Sequence, residues 1–493
     1  MTDFVTSEAA KLHQAVEPTT DDPRPAVSLE EVSPPLTEAP PVGDDTPHRG
    51  TLTLAHGLLL LAGVLAAILR FSSLATTPLS PEEAQQAFLV WQFWQPAGLA
   101  EANALLGDFL NAGSPAYFAF TSPLMLILGS SDVVMRLVPA FFGVLTVLLP
   151  WFMRDRLGTA GAIVAAFLLA VSPLMASVSR TAGGDAIALF AIFLLAIAWL
   201  RFASTGRSEW FYTLMAALGL GLCSSSLFYT GLVTFALALF IHRRFGPDPS
   251  PTITRPDRTT WRTGLIIGGT TFVGLATLFL FNLAGLGAAF ALLGDWFSAF
   301  SLQGGVLDWL APVFLVLRYE PALLILGVVS LAWATWRGSA FPSLLSFWFT
   351  SALLLAILLH AESTQVMILI LVGYLLIGTW ANAILSTPVM PEPDPTLPVS
   401  PTVLRWGTFV LLLAAGATFY FNLIRHLREI VFSTDNISYL LIAIFAVFMA
   451  IALVNFVRVF SRPVAYQATI LALLVLFGFY SWGTAWWLTH EGA

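Results

Sequence analysis

From residue 52 onward the chain alternates long apolar runs with short polar breaks. Most runs approach the roughly 20 residues that carry a helix across a bilayer core. They predict spans at 52–72, 133–153, 159–177, 184–203, 209–223, 226–243, 263–285, 316–336, 341–359, 365–385, 405–424, 437–457 and 464–487, thirteen in all. The run 115–130 is shorter and opens on Ser114-Pro115, which predicts a helix lying at the membrane interface. The predicted class is an all-α polytopic membrane protein, with 51–385 as its main transmembrane module and 405–493 as C-terminal helices. Between them, the prolines of 386–404 deny a regular helix and predict a linker. Residues 1–50 are rich in Pro, Asp, Glu and Thr, which predicts a disordered tail. That tail is too long and too acidic for a signal-peptide n-region, so the first apolar run reads as an uncleaved signal anchor.

Composition agrees: 57% of residues are hydrophobic and 10% charged, against about 25% charged in soluble domains. The net charge of -7 belongs to the tail, where ten acids face Lys11, Arg24 and Arg49; the rest of the chain balances 19 bases against 19 acids. No basic surface points to nucleic acid, and the expected partner is the bilayer. Lys11 is the only lysine, so every cation of the membrane body is an arginine. The single cysteine, Cys223, excludes an internal disulfide and reads as a buried, inert thiol.

Arginine position orients the spans. With the tail cytoplasmic, Arg154, Arg156, Arg201, Arg207, Arg243 to Arg262, Arg337, Arg405, Arg458 and Arg462 all fall inside. Arg70, Arg136, Arg180, Arg318, Arg425 and Arg428 fall on or near the outer face, an asymmetry that satisfies the positive-inside bias. The expectation is a multi-pass protein with its N-terminus in and its C-terminus out. Segment 73–132 then becomes one large extracytoplasmic loop with interfacial helices.

That loop holds the first candidate chemistry, Glu82 and Glu83 in Ser80-Pro81-Glu82-Glu83. The ordinary reading is a capping box: Ser80 as N-cap, Pro81 in the first turn, Glu83 three residues on. Phe88, Trp91, Phe93 and Trp94 follow and would seat the helix among headgroups. A second set is Arg180 and Asp185, where one span ends and the next begins; a helix cap is again the ordinary role, yet ionisable groups at membrane depth are often functional. The pair would neutralise each other across the turn, or face Glu82 and Glu83 across a shared cavity. The remaining outer polar residues are Asp295, Asp308, His360, Glu362, Arg425, His426 and Arg428. Arg425 and Arg428 share a helical face and present guanidinium forks that suit a phosphate; the alternative is a solvated turn with Glu429. No paired-His metal spacing and no Gly-rich phosphate loop occurs.

The order of these features resembles a known family. An acidic pair after the first span is followed by an interfacial helix, then Gly129-Ser130-Ser131-Asp132 and Arg136-Leu137-Val138-Pro139-Ala140-Phe141-Phe142-Gly143. Next come Arg154-Asp155-Arg156-Leu157-Gly158, Ser172-Pro173, Ser179-Arg180 ahead of Asp185, and Arg318-Tyr319-Glu320-Pro321. The series is similar to the GT-C superfamily of polytopic membrane glycosyltransferases, in the branch of dolichyl-phosphate-mannose protein mannosyltransferases and aminoarabinose transferases, and most of all to the prokaryotic flippase-activity-associated group. The likeness runs over about 52–245, thins to 385, and beyond that rests on topology.

The resemblance implies a bacterial inner-membrane enzyme that moves a sugar from a polyprenyl-phosphate donor to a protein, lipid or envelope-glycan acceptor on the extracytoplasmic face, with inversion. By position, Glu82 or Glu83 would be the general base and Asp185 a second site acid. Arg180 would by position hold the donor phosphate, Arg425 and Arg428 are assigned to it from topology alone, and Arg136, His360 and Glu362 are further candidate site residues. No cofactor is implied, although the resemblance leaves a divalent metal open. Four features depart from the pattern: Glu82 where the first acid of the pair is usually Asp, Gly183 where an arginine is common, Ser224-Ser225-Ser226 where a Lys-Glu pair is common, and Ser363 after Glu362 in place of Lys. These losses keep two alternatives in play: an inactive GT-C-like subunit that assists envelope glycan assembly with partner subunits, and a polytopic transporter.

Overall fold

The computed structural model describes residues 53–94, 113–247, 256–283, 285–300, 305–387, 401–428 and 462–490. The acidic tail, most of the Pro-rich linker and the predicted span 437–457 lie outside the described residues. The rest is helical, with no strand among the described residues. Helices run α1 Leu54–Phe71, α2 Pro81–Phe93, α3 Pro115–Leu128, α4 Asp132–Leu148, α5 Arg154–Leu157, α6 Thr159–Val171, α7 Pro173–Val178, α8 Asp185–Thr205 and α9 Ser208–Leu222. They continue as α10 Ser226–Phe245, α11 Arg258–Ala276, α12 Gly285–Ser298, α13 Val306–Tyr319, α14 Pro321–Arg337, α15 Ala340–Leu358, α16 Val366–Leu385, α17 Pro401–Arg428 and α18 Arg462–His490.

Seven of the described helices are long and apolar enough to cross a membrane, eight if the bent pair α13–α14 makes one span. The thirteen predicted spans are therefore not all matched. Helix α3 has 14 residues, which suits its expected interfacial role. Helix α16 forms the centre. From Val366 to Ala381 every residue is buried, as expected of a helix apolar on all faces. It packs on α6, α14 and α15, while α8 packs on α4, α9 and α10. Helix α1 is peripheral, with Leu60 and Leu61 exposed.

Two boundaries correct the sequence reading. The predicted span 316–336 breaks at Glu320, where α13 and α14 meet at 105°. Pro321 disfavours helical geometry in the residue before it, and the Glu320 carboxylate turns into the bundle. There it accepts hydrogen bonds from the Ser172 hydroxyl at 2.5 Å, the Leu174 amide at 3.2 Å and the Tyr374 hydroxyl. Ser172 marks a second helix break, between α6 and α7, so one buried carboxylate joins two interruptions. The predicted span 263–285 instead runs 258–276, started by Asp257 capping the Thr260 amide at 3.1 Å. It stops where Leu278, Phe279 and Leu280 take positive φ.

The crossing of α6 and α16 depends on two glycines. A Cβ on Gly161 would lie 2.6 Å from the Gly378 carbonyl oxygen, and a Cβ on Gly378 would lie 2.6 Å from that of Gly161. Backbone cannot yield as a flexible side chain can, so Gly378→Val is expected to cost about 1–3 kcal/mol through overpacking. Thermal unfolding in detergent checks this. Gly57→Ala, whose Cβ meets nothing within 4 Å, should leave the midpoint unchanged or slightly raised.

Candidate functional site

The predicted capping box at the start of α2 is formed. The Ser80 hydroxyl accepts the Glu83 amide at 3.3 Å, and Glu83 Oε2 accepts the Ser80 amide at 3.0 Å. Glu83 then does more than cap. Arg136, on α4, donates Nε to Oε1 at 2.9 Å and Nη2 to Oε2 at 2.8 Å, a bidentate pair. The Ala182 amide reaches Oε1 at 2.8 Å. The remaining Arg136 donors bind the carbonyls of Leu74, Thr77 and Pro78 and the Thr77 hydroxyl. Both side chains are buried. Burial pushes the Glu83 carboxyl up, but Arg136 and the Ser80 and Ala182 amides together outweigh it, and the net lies below the ordinary glutamate value.

Arg180 is also enclosed. It donates to the carbonyls of Leu69 at 3.0 Å, Ser72 at 2.6 Å, Ser73 at 3.1 Å and Thr489 at 3.1 Å. It therefore ties the 179–184 turn to the ends of α1 and α18 instead of pairing with Asp185. Burial, with Arg136 nearby, lowers its guanidinium to about 10, so it stays a cation at neutral pH. Arg70 is a third buried arginine, bound to the carbonyls of Ala66, Leu169 and Ala170 and to the Ser179 hydroxyl.

Asp185 opens α8 where three segments converge. A Cβ on Gly184 would fall 1.9 Å from the Ser224 carbonyl oxygen and 2.4 Å from Ser114 Oγ, so only glycine permits that approach. Ser114 caps α3 by accepting the Tyr117 amide at 3.1 Å, and the Ala116 amide donates to the Cys223 carbonyl at 2.8 Å. This convergence leaves Asp185 half-buried. Ser225 lies beside it, its hydroxyl buried without a well-formed hydrogen bond.

Other carboxylates lie within electrostatic reach of Asp185. Glu362 and Glu82 both act on Asp185 as like charges, and Glu362 acts likewise on Asp295 of α12. Burial first, and Glu362 second, raises the Asp295 carboxyl above its ordinary value. Glu362 Oε2 accepts from Ser226 at 3.2 Å and Gln365 at 2.5 Å. Gln365 in turn accepts the Thr230 hydroxyl at 2.5 Å, and Trp296 Nε1 donates to Thr230 at 2.8 Å. None of these four carboxylates has an ion pair among the described residues. Nor, among those residues, do three His, Cys, Asp or Glu converge closely enough to hold a metal ion.

The predicted site residues thus divide. Glu82 and Glu362 lie within electrostatic reach of Asp185, and Glu362 within that of Asp295; Glu83, Arg136 and Arg180 are engaged by the rest of the chain. His360 stacks on Trp309 with ring centroids 5.2 Å apart. Helix α17 ends at Arg428, but the side chains of Arg425 and Arg428 lie outside the described residues.

Over residues 112–250 the sequence matches the dolichyl-phosphate-mannose-protein mannosyltransferase family. The chain superposes on apo ArnT from Cupriavidus metallidurans with a TM-score of 0.54 at 16% identity, covering 89% of this chain and 78% of that one. The same protein bound to undecaprenyl phosphate gives 0.52 at 15% identity, covering 88% and 77%. This chain has the GT-C fold. The oligosaccharyltransferase AglB of Archaeoglobus fulgidus, solved with an inhibitory peptide and a dolichol-phosphate, scores 0.47 at 14% identity and covers 87% and 56%. No curated protein sequence matches the chain.

Within this GT-C fold, two roles escaped the sequence reading. Ser225, noted only as a departure from the family pattern, borders Asp185. Gln365 carries no motif signal, yet it links α10 to Glu362, while Thr230 extends the link to Trp296 of α12. Both roles depend on contacts between segments remote in the chain.

Removing one partner of a buried, bidentate pair leaves the other charge uncompensated, so Glu83→Gln is expected to cost about 3–5 kcal/mol of stability. Because the folded-state value of Glu83 is depressed, its contribution is present above the unfolded value, about 4.3. It is lost as pH falls through the lower folded value. Thermal midpoints of the wild type should hold from neutral pH down to about the unfolded carboxyl value and fall progressively from there to the lower folded value. Glu83→Gln should lack that acid-limb drop.

Proposed function

We propose that the chain is a membrane glycosyltransferase that takes a sugar from a polyprenyl-phosphate donor and acts at the end of the bundle bearing Asp185. The single observation that carries this reading is the pair Glu82 and Asp185. They come from two elements of a GT-C fold, lie within electrostatic reach of each other, and carry no cationic partner among the described residues. A general base must be reachable and free to accept a proton. Glu83 is closed off and neutralised, whereas Glu82 is exposed. Glu82 is therefore assigned as the base that deprotonates the acceptor hydroxyl for inverting attack at the anomeric carbon. Asp185 orients the acceptor, with Glu362 beside it.

The family match over 112–250 covers the segment that includes Asp185, and the related ArnT fold has been solved with undecaprenyl phosphate. Arg154, Arg156, Arg201, Arg207, Arg243 and Arg337 lie at the opposite end of the same helices, which supports an extracytoplasmic site by the positive-inside bias. Arg425 and Arg428, near the last turn of α17, are assigned to the donor phosphate, because Arg136 and Arg180 are already engaged.

One observation favours a second reading, an inactive subunit of envelope glycan assembly. Arg136 and Arg180 are held by protein acceptors, and a Cβ on Gly183 would meet open space where the family commonly has an arginine. Transfer of labelled sugar from polyprenyl-phosphate donors in membranes separates the two. Under the enzymatic reading Glu82→Gln lowers transfer by roughly 10²–10⁴-fold, and Asp185→Asn also lowers it. Transfer by both variants at the wild-type rate would remove the two carboxylates from the mechanism. Transfer by none of the proteins, wild type included, would favour the subunit.

A further inference from the structure

A second built pocket lies at the end of the bundle opposite Asp185. Arg156, Trp199, His242, Arg243, Phe341 and Leu344 line a cavity of about 100 Å³ between the ends of α8, α10 and α15. Arg156 is half-buried, and its one hydrogen bond among the described residues, Nη2 to the Leu200 carbonyl at 3.3 Å, leaves the other donors of its fork unspent. Its guanidinium leans over the Phe341 ring at 5.9 Å. The neighbouring acid, Asp155, is bonded to Arg201 at 2.8 Å. Arg243 enters the pocket from the last turn of α10, beside His242.

A further source of positive potential comes from α15. This 19-residue helix begins at Ala340, and Ala340 and Phe341 themselves line the cavity. Ser339 makes no side-chain cap there. The first amides of a helix lack intrahelical acceptors and attract anions. Two arginines and an uncapped helix start thus converge on one small cavity.

The apolar half of the wall names the ligand more closely. Leu200, Leu239 and Leu344 complete the pocket, and Phe240 and Phe245 on α10 are each 69% exposed. A soluble anion has no use for such a surface; an acyl chain does. We propose that this pocket binds an anionic phospholipid, its phosphate held by Arg156, Arg243 and the start of α15, its acyl chains on the apolar flank. Basic pockets between transmembrane helices bind such headgroups by these means. The site is independent of the transfer chemistry, and it would anchor the far end of the helix that leads to His360 and Glu362.

Native mass spectrometry of the full-length protein in neutral detergent tests this, with dioleoyl phosphatidylglycerol and dioleoyl phosphatidylcholine as probes. Wild type should retain the anionic lipid preferentially. Arg156→Gln and Arg243→Gln should each weaken that retention by roughly fivefold, while Arg337→Gln, an equal loss of charge elsewhere at this end, should not. Equal retention of both lipids overturns the proposal, as does undiminished preference in the Arg156→Gln/Arg243→Gln double variant. Should Arg156→Gln fail to fold, Arg243→Gln alone decides, because Arg243 is exposed. In a separate arm, inorganic phosphate alone should not raise the thermal midpoint; if it does so as fully as the anionic lipid, the lipid assignment falls in favour of a free-phosphate site.

Discussion

The bidentate pair between Arg136 and Glu83 governs the arrangement of the site end. A single buried charge at membrane depth is costly, and here each charge satisfies the other while recruiting backbone groups. Arg136 gathers the carbonyls of Leu74, Thr77 and Pro78, and Glu83 gathers the amides of Ser80 and Ala182. Four segments are joined through two side chains: the stretch after α1, the start of α2, α4, and the turn ahead of α8. Arg180 extends the frame to the ends of α1 and α18.

Satisfaction separates supporting charges from chemical ones. Arg70, Arg136 and Arg180 have their donors met by carbonyls, hydroxyls or Glu83, and a group so occupied is part of the scaffold. Glu82 and Glu362 act on Asp185, and Glu362 on Asp295, as like charges with no ion pair among the described residues. Such repulsion of like charge is unfavourable for folding alone, so these residues are where function is sought. The buried Glu320 shows the supporting case without any counterion: three hydrogen-bond donors hold it at a double helix break.

Much of the fold was legible because spans and caps are local. Length and apolarity marked α1, α4, α8, α10 and α16, and the Ser80-to-Glu83 spacing marked the capping box. The 105° break escaped notice because 316–336 is predominantly apolar despite Arg318 and Glu320; Pro321 is tolerated at a helix start, and only the inward turn of Glu320 makes it a break. The candidate site was legible in part: Glu82, Asp185 and Glu362 were singled out and spacing marked Glu83 as the capping residue, yet nothing local showed that Arg136 would close Glu83 off.

By itself, then, the sequence determined that the chain is a helical membrane protein, where most helices begin, and which ionisable groups stand at the ends of spans. These are properties of short windows, set by backbone sterics, capping and transfer free energy. The tertiary structure alone decided which charges are spent. Glu83 meets Arg136 across 53 residues, Arg180 meets Thr489 across 309, and the start of α8 closes on Ser114 and Ser224 only because Gly184 has no Cβ. Two adjacent carboxylates of the same type lie about 100° apart around one helix, so packing made Glu83 a strut and left Glu82 open.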